Sequence, residues 1–219
     1  LQRVPDLVIE LGMSRIDDAI ASGEWAMYPL GRKGEERGSL DLMSRADGPL
    51  LLRTLLDRAL GRIEDYKFSH RFAELMKSLC GPYGASFVAT LENWLAAGTA
   101  SHFMVVTAIL REAGALFIHS NEGFIARALK GARCVGTRTY RDLSSAIFAT
   151  GIRGVRSGRP GEPFDADVRL KEMAEQRLER IANSDASYDL YHALKDHADR
   201  EIAHQLEEGR KMDEEDADA

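Results

Sequence analysis

Apolar residues along this chain recur at steps of three and four, which places them on one face of a helix. From about Asp47 to Thr150 the segments come in successive pairs, each pair about 35 residues long, the pitch of a stacked helical repeat. Pro49 opens a helix through about Leu60 that carries Leu50, Leu51, Leu52, Leu55 and Leu56. Its companion runs from about Lys67 to Leu79 with Phe68, Phe72, Leu75 and Met76, and Gly81-Pro82 stops it. The next pair covers about Tyr83 to Ala97, with Phe87, Leu91, Trp94 and Leu95, and about Thr99 to Phe117, with Phe103, Val106, Ile109, Leu110 and Leu116; Gly98 marks the turn. In the third, Ser120 or Asn121 caps a helix holding Phe124, Ile125 and Leu129, and a partner runs from about Thr139 through Ala149. Period-two alternation is almost absent, so the spacing predicts an all-α chain: antiparallel helix pairs stacked as a short α-solenoid.

The flanks differ in character. Residues 1–47 read as an N-terminal amphipathic helix, or two short ones, from about Pro5 to Ala21, followed by a Gly-rich linker with one short helix around Leu40 to Arg45. The repeat pairs fill 48–151. Residues 152–163, within GIRGVRSGRPGEPF, hold too much glycine and proline for regular structure. Residues 164–210 are two capping helices with thinner apolar stripes, the first capped by Asp165 or Asp167, and 211–219 read as a disordered acidic tail.

Composition is that of an ordinary soluble protein, 44% apolar and 29% charged over 219 residues. Asp213, Glu214, Glu215, Asp216 and Asp218 supply most of the formal charge of −6; subtracting those five acids leaves −1. No global basic field remains, so nucleic acid is an unlikely partner class. Cys80 and Cys134 stand far apart in apolar helical contexts and read as buried small hydrophobes rather than a disulfide. No apolar run is long enough to span a membrane, and nothing at the start resembles a secretory signal, so a cytoplasmic protein is expected. The chain begins Leu1-Gln2-Arg3 without an initiator methionine, which suggests a fragment of a longer polypeptide.

Candidate chemistry is sparse. His192, Asp196, His197, Glu201 and His204 share one helix with some pairs four apart, a spacing that permits a metal site but that a solvated helix face also produces. His102 and His119 read as capping or core-edge histidines. Arg62 with His70 and Arg111 with His119 are too widely spaced for a compact Arg–His nuclease motif, and neither a P-loop nor a nucleophile elbow is present. No catalytic residue, cofactor or metal is assigned. The better candidates are contacts: Arg153, Arg156 and Arg159 recur every third residue on a glycine-broken backbone, where guanidiniums can converge on a phosphate or a partner's carboxylates. The competing role for these arginines is pairing with Glu162, Asp165 and Asp167. Trp25 is a candidate apolar anchor, whereas Trp94 lies on a core stripe.

The run from Trp94 to Ala132, followed by RSGRPGEPFDADVRL at Arg156 to Leu170, resembles the C-terminal helical-repeat regions of large bacterial multidomain proteins. These are HEAT- or armadillo-like arrays, such as those of NACHT-type STAND ATPases of antiphage defence. The resemblance covers roughly the last 130 residues and implies a sensor or scaffold whose partner is another protein or domain of the same assembly. No nucleotide-binding motif of such an ATPase is present, so the resemblance implies no enzymatic role. Two other functions remain open at this point: a metal-dependent helical enzyme acting on a phosphorylated or nucleotide substrate, and a nucleic-acid-binding solenoid.

Overall fold

A computed structural model describes residues 4–23, 41–96, 98–153, 159 and 161–217. Among them there is no strand. The chain divides into two compact units, Leu1–Thr150 and Gly151–Ala219.

The first unit begins with α1 (Val4–Ser22), which runs unbroken, and a single 3-10 turn at Leu42–Ser44 stands where the sequence places a short helix. Then follow α2 (Gly48–Leu60), α3 (Tyr66–Cys80), α4 (Ala85–Leu95), α5 (Ala100–Glu112), α6 (Ala115–Ser120), α7 (Glu122–Val135) and α8 (Thr137–Gly151). Helices pack on their next-but-one neighbours. α1, α3 and α5 lie side by side, α2 lies along α4 and α4 along α7, while contacts of α5 with α2 and α7 tie the two rows together. This is the packing expected of stacked helix pairs, because each pair covers its apolar face with the next. The core between the rows is built from the predicted stripes: Phe68, Phe72 and Leu75 of α3, Leu52 and Leu55 of α2, Phe87 and Leu91 of α4, and Val106 and Ile109 of α5 are fully or almost fully buried. Each such side chain contributes about 1.5–3 kcal/mol by leaving water. Asp65 opens α3 by accepting from the amides of Lys67 and Phe68 at 2.8 and 3.4 Å, and the Thr150 hydroxyl fastens the end of α8 by donating to the Leu110 carbonyl at 3.0 Å.

Two local expectations are corrected. The helix predicted from Thr99 to Phe117 is two helices, because Gly114 adopts φ +83° and ends α5 in a left-handed residue that glycine accommodates without steric cost. Leu116, assigned to the apolar stripe, is consequently 79% exposed on α6. Asn121 holds the N-cap position of α7, as the sequence suggests, but its side chain makes no cap hydrogen bond there; its amide donates to the Phe117 carbonyl at 2.9 Å and so closes α6.

The second unit is a helical hairpin of α9 (Asp165–Leu178) and α10 (Tyr188–Ala217). Leu170, Ala174, Leu190, Leu194 and Ala198 are buried along it. Lys171 and Lys195 both reach Asp199, at 2.7 and 2.6 Å, and hold its carboxyl below the usual aspartate range. Neither Asp165 nor Asp167 is the cap. The N-cap position belongs to Phe164, whose amide donates to Gln205 Oε1 at 2.7 Å, while Gln205 Nε2 donates to the buried Asp167 carboxylate at 2.8 Å. One turn further along α10, Gly209 and Gly161 bring their backbones so close that a Cβ on Gly209 would lie 2.3 Å from the Gly161 Cα. Where a disordered tail is expected from residue 211, α10 runs on to Ala217. The Glu207–Lys211 pair at 2.9 Å, acid before base at i,i+4, supports that extension.

Candidate functional site

A cleft of about 700 Å³ spans α4, α5 and α7 in the first unit. Its floor is apolar: Phe103 and Phe124, which are otherwise buried in the core, line it together with Leu95 and Val135. Its rim is polar. Arg127 on α7 crosses to Glu92 on α4, its Nε donating to Glu92 Oε1 at 3.1 Å and a second guanidinium nitrogen meeting the same oxygen. The Cys134 thiol also lines the cleft and is exposed, contrary to the buried position expected of it. The spacing put Cys134 on an apolar stripe, but it falls near the end of α7, one residue before Val135, which is itself 38% exposed. Cys80 is buried as expected, and burial pushes its thiol up to about 12. A smaller hollow of about 450 Å³ lies over the start of α7, between His119, Ser120 and Glu122, and shares Phe124 and Arg127 with the cleft.

Beside the cleft, the sequence from Gly123 to Arg141 contains five cations and no acid. Arg127, Lys130 and Arg133 follow one another at three-residue steps on α7, and Arg138 and Arg141 do the same on α8; all five are exposed. Only Gly136 separates the two helices, and Arg133 joins them by lying over the Tyr140 ring at 4.7 Å and donating to its hydroxyl at 3.2 Å. Arg138 meets Asp142 at a loose 3.8 Å with its own side chain 96% exposed, and Lys130 and Arg141 have no ion-pair partner among the described residues. Sequence reasoning missed this corner because it weighed charge as a sum, −1 once the terminal acids are subtracted, in which acids elsewhere offset a local basic run; an acid-free window in the sequence was the available signal.

The residues proposed from sequence are distributed otherwise. Arg153 and Arg159 are both exposed in the second unit, while Arg156 and Trp25 lie outside the described residues. Trp94 is core, 7% exposed, with its indole N–H donating to Asp57 at 2.8 Å. His102 is a core-edge histidine: its ring packs on Trp94 at 4.4 Å between centroids and its Nδ1 is 2.6 Å from the Thr99 hydroxyl. Burial lowers its proton affinity, and the Asp57 charge opposes that in part. Arg62 is engaged by Asp17 at 2.5 Å and packs over the Phe68 ring, while His70 stands by Glu74 at 3.7 Å, so neither serves the other.

On α10, His192 pairs with Asp196 at 3.0 Å and His204 turns to Glu208 at 3.6 Å. His197 and Glu201 join neither pair in a ligand set: among the described residues no three His, Cys, Asp or Glu side chains stand together as metal ligands. The i,i+4 spacing that suggested a centre here is taken up by side-chain pairs along a solvated helix. No helix among the described residues is long and apolar enough to cross a membrane. No family model matches the chain, and no curated protein or solved structure matches it either.

Proposed function

We propose that this chain is a non-catalytic interaction module, a scaffold or sensor element of a larger cytoplasmic bacterial assembly, and that it works by holding another protein or domain. The observation that carries this reading is the cleft across α4, α5 and α7. It brings together side chains of three helices, has an apolar floor and a polar rim, and adjoins an exposed basic corner. A surface of that kind suits a protein segment with a buried anchor and a charged flank. The resemblance of residues 94–132 and of the RSGRPGEP loop to HEAT- or armadillo-like regions of NACHT-type defence proteins points the same way, and Arg153, Arg156, Arg159 and Trp25 remain separate candidate contacts. Antiphage defence is the setting that this resemblance suggests.

The test is affinity capture from the source organism with the full chain as bait, run beside a Val135→Asp variant that places a charge in the exposed part of the cleft's apolar lining, and with the metal content of the purified protein determined. The reading predicts a defined protein partner whose recovery drops in the variant. Failure to capture a partner with either bait, together with stoichiometric bound metal, would replace it with the enzymatic alternative. Recovery of nucleic acid as the sole specific partner, lost as salt is raised, would replace it with the nucleic-acid-binding one.

A further inference from the structure

We infer that the cleft and the α7–α8 corner together take an acidic segment of a partner protein, one that seats an apolar side chain in the cleft and lays carboxylates along the corner. The inference rests on the interaction-module reading and names the chemistry of its partner. Arg127, at the rim, is already neutralised by Glu92, so the attraction comes from what lies beyond it. Lys130 continues around α7 from Arg127 and Cys134, Arg133 reaches across to α8, and Arg138 and Arg141 extend the row, with Asp142 standing 3.8 Å from Arg138. Long cationic side chains in such a row accept carboxylates at several spacings, which sets orientation and encounter rate more than raw affinity. The neighbouring apolar floor supplies the anchor that charge alone lacks.

A nucleic acid fits the same surface less well. Single strands are held by aromatic faces on which bases stack. Here the Tyr140 ring is covered by the Arg133 guanidinium, and Phe103 and Phe124 are 3% and 2% exposed, so no open aromatic face is offered to a base among these residues.

The experiment is fluorescence anisotropy with the full chain and three probes: a short Asp/Glu-rich peptide with a central pair of leucines, the same peptide with those leucines replaced by serine, and an oligothymidylate. The leucine peptide is expected to bind saturably, to weaken as salt is added, and to lose at least about tenfold in affinity in the Lys130→Glu/Arg141→Glu double variant, whose exposed positions leave the fold intact by circular dichroism. The serine peptide is expected to bind more weakly than its parent. No saturable binding of the leucine peptide, binding indifferent to the double variant, or preference for the oligothymidylate overturns the inference. A protein partner captured through the cleft while the acidic peptide fails removes this inference alone; failure of both removes the module reading as well.

Discussion

His102 sits where two influences on one proton oppose each other: burial against Trp94 disfavours the imidazolium, while the Asp57 carboxylate that accepts the Trp94 indole favours it, and burial is the larger. The folded state therefore binds this proton less readily than the unfolded chain, whose reference value is 6.5. The contribution of His102 to stability is fully present above 6.5 and is lost as pH falls through the lower, folded value. Thermal melts across that range are expected to show wild type losing stability toward acid more steeply than His102→Gln; parallel curves would contradict the assignment. The thiols give a second residue-scale outcome. Cys134 is exposed and Cys80 is buried with its pKa raised to about 12, so a thiol reagent at neutral pH should titrate one cysteine quickly and the second only on unfolding. Helical periodicity located both residues, but it could not separate them, because exposure at a helix end depends on which neighbours arrive there and spacing is silent about that.

Among the elements, the stripes of α2, α3, α4, α5 and α7 were legible because a core-facing helix must repeat its apolar positions every three or four residues. What was not legible were events carried by a single backbone angle or a single long-range partner. The break at Gly114 lies inside an apolar run that reads as continuous helix, and only its left-handed φ of +83° separates α5 from α6. The opening of α9 shows the same limit. Asp165 and Asp167 both have the residue type of a cap, but the Gln205 side chain, 38 residues from Asp167, takes that carboxylate and the Phe164 amide together. The crossing of Gly161 and Gly209 at this end yields a prediction. Gly209→Ala would ordinarily gain about 1 kcal/mol of helix propensity. Here the added Cβ meets the Gly161 backbone, which cannot yield as a flexible side chain does. Net destabilisation is expected, read as faster hydrogen exchange at residues 161–167 than in wild type; unchanged or slower exchange would contradict the close crossing.

For the molecule as a whole, the distribution of charge matters more than its sum. The formal −6 hides an acid-free basic stretch at Gly123–Arg141 and an acid-rich one at Asp213–Asp218. Reading charge as a sum, −1 once the terminal acids are set aside, excluded a global basic field but not a local one, and the candidate site drawn from sequence, Arg153, Arg156, Arg159 and Trp25, did not include the α7–α8 corner or the cleft. Neither was visible as a motif, because the cleft is assembled from three helices whose nearness follows from packing. The central claim, that this cleft holds a protein partner, is tested most directly through the one thiol that lines it. A benzophenone attached to Cys134 and photoactivated in lysate of the source organism would link to whatever occupies the cleft. The account predicts one discrete protein adduct, suppressed by excess unlabelled chain. Diffuse labelling that unlabelled chain does not suppress, or an adduct with nucleic acid alone, would contradict it.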